Sequence, residues 1–492
     1  MAVRRAPGTP DPSPLAGVSL PHPAHTAARR RWQMIADVLE GSDAVKYGGY
    51  LPQLAGHKDR KDLASAYRER AVFVNFSERT LQAMVGAIFR KEGGVKVPSK
   101  YEPRLSNINN AGDQLYNFAK KVTREVIAFG RFGILVDAGS SDSDDPLDRL
   151  PYMAGYAAQY IINWRTTIVY GKPVLNQVVL LEDHEEPVEF GSVSRPRYRV
   201  LELDESGFYR IRVIDNYNDT WSVIEEVYPT DSRRRKLSYI PFIFVGPYDL
   251  SPNVSKSPIA DLVDVNLSHY RTSADLEQGR FFTSQPTPII SGVNEADQEN
   301  YADMSIGSGN VWLLPPATTA SLLEFKGDGL GSLERALAEK ERQMAQLGAR
   351  LLAEPKRTAE AAETVRLRHT SETSTLASIA RTVADGIKTA METSCQWAGI
   401  DTTKDKIEFE LNQDFIDNTM EPTMLAQLIG AWQAGAMPLA DLYWNLQRGE
   451  MVRPGSTLES YQGDLDSEGP HLGAPTTYRL LDGIPERDEE GE

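Results

Sequence analysis

Apolar positions recur along this chain in two different periods, and the change between them divides it. Arg31 to Leu39 has the pattern of a short helix stopped by Gly41. From about Arg60 to Phe89, the residues Leu63, Tyr67, Val74, Leu81, Met84, Val85 and Ile88 mark a longer helical region. Pro98 and Pro103 punctuate the next loop, and Gln114 to Ala128 is helical again through Leu115, Phe118, Val122 and Ile127. The period then shortens. Gly130 to Asp137 has the composition of a buried strand, and the SSDSDDP run from Ser140 that of an exposed acidic loop. Between Ile168 and Val245, short β-branched or aromatic runs alternate with turn residues such as Ser206-Gly207 and Asn218-Asp219. They predict an antiparallel sheet region.

Ser257-Pro258 is expected to open a helix. The serine hydroxyl can cap it, Pro258 sits where a missing N–H does no harm, and Asp261 and Asp264 favour the positive end. The helix is expected to run to Phe281, before Pro286 and Pro288. Strand-like pieces follow (TPIIS, NVWLLP, SLLEF) and end in GDGLG. From Ser332 to Glu354 the seam Leu333, Leu337, Met344, Leu347 and Leu351 is coiled-coil-like, with Lys340 interrupting it. Pro355 breaks this helix. Leu376, Ile379, Val383, Ile387 and Met391 then form one face of another; a continuous helix from Thr364 to Trp397 would span about 50 Å. A strand (KIEFELN), helical turns at Thr423–Gln433 and Ala440–Gln447, and loop after Pro454 complete an α+β, helix-rich chain.

At 492 residues, two to four structural units are expected. The 41% hydrophobic and 25% charged fractions are ordinary for a folded protein. A net charge of -16 opposes phosphate-neutralising binding, so DNA is either no partner or one that must pass without adhering. Cys395 stands alone, which rules out an intrachain disulfide and suits a reducing cytoplasm; it is expected as a small buried hydrophobe. No apolar run approaches the roughly 18 residues of a membrane span. The Pro- and Ala-rich N-terminus is expected as a flexible arm and not a signal peptide, with His22 and His25 solvated in it. The terminal PERDEEGE is expected as an acidic tail.

Candidate chemistry is sparse. No HxxxH pair, Walker loop or G-x-S-x-G elbow occurs, and neither a cofactor nor a metal site is expected. Gly327, Gly329 and Gly331 fit a hinge better than a phosphate loop, lacking the dinucleotide spacing and a following lysine. His269 is expected as an ordinary hydrogen-bonded residue. Trp164-Arg165 and Tyr198-Arg199 could stack bases, but lie in apolar runs that look structural.

Three stretches carry a resemblance: AQYIINWR at Ala158 to Arg165, SPIADLVDVNLSHYRTSADLEQGRFFTSQPTPIISG from Ser257, and KERQMAQLGARLL from Lys340. Together with the order helix, small strand-rich insert, second long helix, proline-marked loop and third long helix, they resemble tailed-bacteriophage portal proteins, a family formerly described as a domain of unknown function. The likeness extends from about Tyr47 to Asp414.

The resemblance implies a flexible arm at 1–30, a first part of a wing at 31–256, stem helices at 257–281 and 332–353 and a clip at 282–331. It further implies a tunnel loop at 354–363, a long wing helix and strand at 364–418, a short crown at 419–465 and a flexible acidic tail at 466–492. It implies a twelve-subunit ring at one capsid vertex, assembled in the bacterial cytoplasm and carried in the virion. That ring serves DNA packaging, retention and ejection, and is not an enzyme. Its partners would be further copies of the chain, the major capsid protein, terminase, a head–tail adaptor or tail proteins, and passing double-stranded DNA, with no membrane. Glu354, Lys356, Arg357, Glu360 and Glu363 would face the DNA, and the Leu333–Leu351 seam would pack between neighbouring stems or within one subunit. Twelve copies at -16 each carry -192 formal charges, which would let DNA slide. Another head–tail connector component, or a carboxylate-dependent hydrolase, are the alternatives.

Overall fold

A computed structural model describes residues 14–54, 60–91, 93–139, 146–217, 220–284, 287–292, 318–323, 326–352, 375–413, 422–448, 451–453 and 456–468. The fold is α+β and rich in helix. One compact unit comprises Met1–Phe415, a second Ile416–Glu492.

Helix α1 (Pro23–Glu40) begins well inside the expected arm. His22 caps it, its Nδ1 accepting the Ala24 N–H at 3.1 Å, and Pro23 supplies the pre-set first turn. His22 also stacks on Trp164 with ring centroids 4.0 Å apart, and His25 is only 6% exposed. The expectation of solvated histidines in a flexible segment is therefore corrected. These rings belong to a packed helix start. Gly41 ends α1 as expected, and the short α2 (Ser42–Tyr47) follows.

The long helical region is two helices, α3 (Lys61–Arg70) and α4 (Phe76–Ile88). Asn75 separates them through its side-chain hydrogen bonds. Its Oδ1 caps the Glu78 N–H at 2.9 Å, and its Nδ2 donates to the Val38 carbonyl at 2.8 Å. After β1 (Val95–Lys96), α5 (Leu115–Phe129) ends at Gly130, whose φ of +74° is the left-handed stop that glycine permits.

Strands β2 (Phe132–Asp137) and β3 (Tyr152–Ala157) flank the short α6 (Pro146–Arg149). The sheet region then divides in a way the sequence did not disclose. Strands β4 (Ile161–Val169), β5 (Lys172–Val188), β6 (Gly191–Leu203), β7 (Tyr209–Tyr217) and β8 (Thr220–Val227) form one antiparallel meander. Strand β9 (Phe242–Val245) instead returns to the opposite edge of β2, giving the order β3-β2-β9. The meander is buried on both faces near its middle, with the two-residue period expected of a strand. Val178 and Leu180 enter the main core, while Val179 joins a small cluster with Ile162, Val200 and Ile214, covered by Leu15 and Val18.

Three long helices follow: α7 (Ala260–Thr283), α8 (Leu330–Leu352) and α9 (Thr375–Ala398), with strands β10 (Thr287–Ser291) and β11 (Thr319–Leu323) between the first two. The expected face of α9 is fully buried at Leu376, Ile379, Val383, Ile387 and Met391. Cys395 is buried too, and burial pushes its thiol up to about 12. Strand β12 (Glu408–Phe409) pairs with β1, a shorter strand than KIEFELN suggested.

The second unit contains α10 (Pro422–Gln433), α11 (Leu439–Arg448) and α12 (Leu458–Glu468). Helix α12 replaces the loop expected after Pro454, because Tyr461 packs on Tyr443 with centroids 5.2 Å apart. The Tyr443 hydroxyl also donates to the Ser456 carbonyl at 2.5 Å.

Candidate functional site: the paired long helices

Helices α7 and α8 lie side by side and antiparallel. At one end Arg280 donates to Glu334 at 2.9 Å; further along, His269 Nε2 lies 3.4 Å from Glu341. Strands β10 and β11 pair in antiparallel register, Thr287 opposite Leu323 and Ser291 opposite Thr319, and so close the connection between the helices. The NVWLLP run lies outside the described residues.

The first half of α7 is the buried half. Leu262, Val263, Leu267, Tyr270 and Ala274 enter the main core or pack beside it. Ser257 does not cap α7, contrary to expectation. Its hydroxyl donates to the Ala128 carbonyl at 2.6 Å and so satisfies the end of α5, while α7 starts at Ile259 without a side-chain cap. The outer half of α7 is held by α3. Tyr67 donates to Asp275 at 2.6 Å, Arg70 donates to Gln278 at 2.8 Å, and the Arg70 guanidinium lies 3.5 Å from the Phe281 ring centre.

Along the seam of α8, Met344 is 2% exposed, Leu333, Leu337 and Leu347 are half-buried, and the Leu351 side chain lies outside the described residues. Lys340, the apparent interruption, turns onto α7. Its ammonium donates to the Ser268 carbonyl at 3.2 Å and to the Thr272 hydroxyl, and burial lowers its pKa. His269 is also buried. Burial lowers its pKa more than the neighbouring Glu341 carboxylate raises it. It is a hydrogen-bonded interface residue.

The exposed residues of the pair carry both signs. Asp261, Asp264, Asp275, Glu334, Glu339 and Glu341 alternate with Arg271, Arg280, Arg335 and Arg342. The net acidity of the chain is therefore not concentrated on these helices. The candidate DNA-facing residues Glu354, Lys356, Arg357, Glu360 and Glu363 lie outside the described residues, as does the first part of the long helix expected from Thr364.

Sequence reasoning did not find a buried cation in the body of the fold. Arg131 is buried against Trp164 and Phe244, its guanidinium 3.8 and 4.5 Å from the two ring centres. Desolvation pushes its pKa down to about 9. Trp164 is thereby occupied from within, which removes the base-stacking option for that residue. A cavity of about 650 Å³ lies near by, lined by His25, Arg29, Trp32, Glu125, Gln159 and Tyr198. Among the described residues, no group of three or more His, Cys, Asp or Glu is placed to hold a metal ion, and no helix is long and apolar enough to cross a membrane.

Residues 258–398 match the model of a domain of unknown function, DUF4055. That stretch takes in α7, both short strands, α8 and α9. No curated protein matches the sequence. Solved structures that resemble the chain include one from the virion of a native gene transfer agent particle. It is 12% identical, with 76% of this chain and 89% of that chain covered and a TM-score of 0.36. Another comes from the neck of an empty gene transfer agent particle computed with C6 symmetry, at 12% identity, the same coverage and a TM-score of 0.37. A third comes from the neck of the native particle computed with C12 symmetry, at 13% identity, 74% and 86% coverage and a TM-score of 0.33.

Proposed function

We propose that this chain is the portal subunit of a tailed phage: a ring-former at one capsid vertex through which DNA is packaged, held and released. The observation that carries the reading is the antiparallel pair of α7 and α8 with its joining strand pair, built from two of the three sequence stretches that resemble portal proteins. In this reading the pair is the stem, the segment between its helices docks terminase and later the tail adaptor, and α9 belongs to the wing. Residues 354–363, outside the described residues, take the tunnel-loop role that the sequence resemblance implies. The force comes from a separate ATPase, and the chain itself catalyses nothing. The acidic total keeps phosphates from adhering by counterion release, so that DNA slides.

Negative-stain imaging of the purified full-length protein tests this. Rings with a central hole are expected; monomers alone, across a range of buffers, overturn the reading. Removal of residues 354–363 adds a second arm. Rings should persist while packaging or retention of DNA fails, and loss of association would overturn the loop assignment.

A further inference from the structure

We infer that the two ends of the five-stranded sheet dock onto one another between copies of this chain, the acidic β5–β6 tip of one copy on the basic β4–β5 tip of the next. Two ribbons extend beyond the body of the sheet. Among the described residues, Asp183 to Val188 pair only with Gly191 to Pro196, because β7 first meets β6 at Arg197. At the other end, Thr166 to Val169 pair only with Lys172 to Leu175, because β6 first meets β5 at Gln177. A two-stranded ribbon with no third strand or cover is marginal in water.

Both tips are aromatic and uncovered. Tyr170 is 101% exposed and Phe190 is 97% exposed, with Ile168 at 78% and Val188 at 49% beside them. Tyr170 occupies the first position of a two-residue turn at φ +47°, where Asn, Asp or Gly would be relaxed. A strained, fully solvated tyrosine gains nothing inside its own subunit, and a strained exposed residue points to a contact.

Charge identifies the partner. The β5–β6 ribbon carries Asp183, Glu185, Glu186 and Glu189, and its one guanidinium, Arg195, already pairs with Glu186 at 3.2 Å. The stretch from Arg165 to Gln177 carries Arg165 and Lys172 and no acid. Complementary patches on one molecule, at opposite ends of a 17-residue strand about 56 Å long, make a head-to-tail contact. The inference rests on the reading of this chain as a self-associating subunit.

Co-expression of full-length Tyr170→Cys and Phe190→Cys chains under different tags, followed by mild oxidation, tests it. The native Cys395 is buried and does not compete. Cross-linked dimers containing one chain of each kind are expected, with neither variant cross-linking to itself. In parallel, Lys172→Glu should weaken association about tenfold, and Glu189→Lys on the same chain should restore it. Rings without 170–190 cross-links overturn the inference and leave the portal reading intact. Cross-links in open chains uphold the inference and overturn the closed ring. Monomers without cross-links overturn both.

Discussion

The buried carboxamide of Asn266 accepts two hydrogen bonds from Ser77, one from its N–H at 3.1 Å and one from its hydroxyl at 3.0 Å. Its amide also donates to the Val74 carbonyl at 2.9 Å, so one side chain of α7 satisfies the turn that starts α4. Asn266→Leu leaves the Ser77 N–H and hydroxyl without their acceptor, while the Val74 carbonyl keeps the Phe76 N–H at 3.0 Å. A loss of about 3 kcal/mol is expected, read as a fall in the urea midpoint without a change in slope.

A second junction joins the two sheets. Glu182 of β5 accepts from Tyr156 of β3 at 2.6 Å and from Arg199 of β6 at 2.7 Å. Glu182→Leu leaves the guanidinium only the Asp137 carboxylate, 3.7 Å away, and should destabilise by about 2 kcal/mol. Glu182→Leu with Arg199→Leu should lose less than the sum of the two single changes, which a double-mutant cycle measures.

Glu125 of α5 lines the cavity with an Oε2 that has no partner among the described residues, and burial raises its pKa to about 7 despite the nearby Arg124. A raised folded-state value favours folding below the unfolded value, and this contribution is lost as pH rises through 7. Glu125→Gln should therefore leave the midpoint at pH 4.5 nearly unchanged and raise stability at pH 8 by up to about 3 kcal/mol. Equal effects at the two pH values would contradict this.

His269 works in the opposite sense. Its lowered pKa favours folding above the ordinary histidine value of 6.5, and that contribution disappears as pH falls below 6.5. The difference in stability between pH 7.5 and pH 5 should shrink in His269→Gln, measured by denaturant titration at both pH values.

Gly130 can be replaced only at a cost. Beyond its left-handed φ, an added Cβ would sit 2.7 Å from the Ser255 carbonyl oxygen. Gly130→Ala should lower stability by about 2 kcal/mol or more, with helix content by circular dichroism unchanged below the transition.

Elements whose packing follows one period were legible in the sequence. The row from Leu376 to Met391 lies on one helical face and is buried on it, and the strands from β4 to β8 show as β-branched and aromatic runs, several of them set off by turn residues. What stayed hidden depends on partners distant in sequence. Nothing local to His22 announces Trp164, and the Ser257 hydroxyl has the right offset to cap α7 until the carbonyl of Ala128 takes it. The break between α3 and α4 has no proline or glycine, and rests on the bond from Asn75 to Val38. Lys340 looks like a defect in an apolar row because its acceptors lie on another helix. Of the candidate site, α7 was legible from the proline and acidic residues at its start and α8 from its apolar row, whereas the attachment through Tyr67, Arg70 and Asn266 was not.

Strands β3 and β9 lie on either side of β2, so the polypeptide departs from the small sheet at Ala157 and comes back to it at Phe242. Everything between is an excursion whose two ends are pinned to the same strand. Its outer hairpins can lengthen, shorten or change their tip chemistry over evolutionary time while the frame beneath keeps its register. Related chains could thus alter how they meet their neighbours without redesigning the interior that folds them.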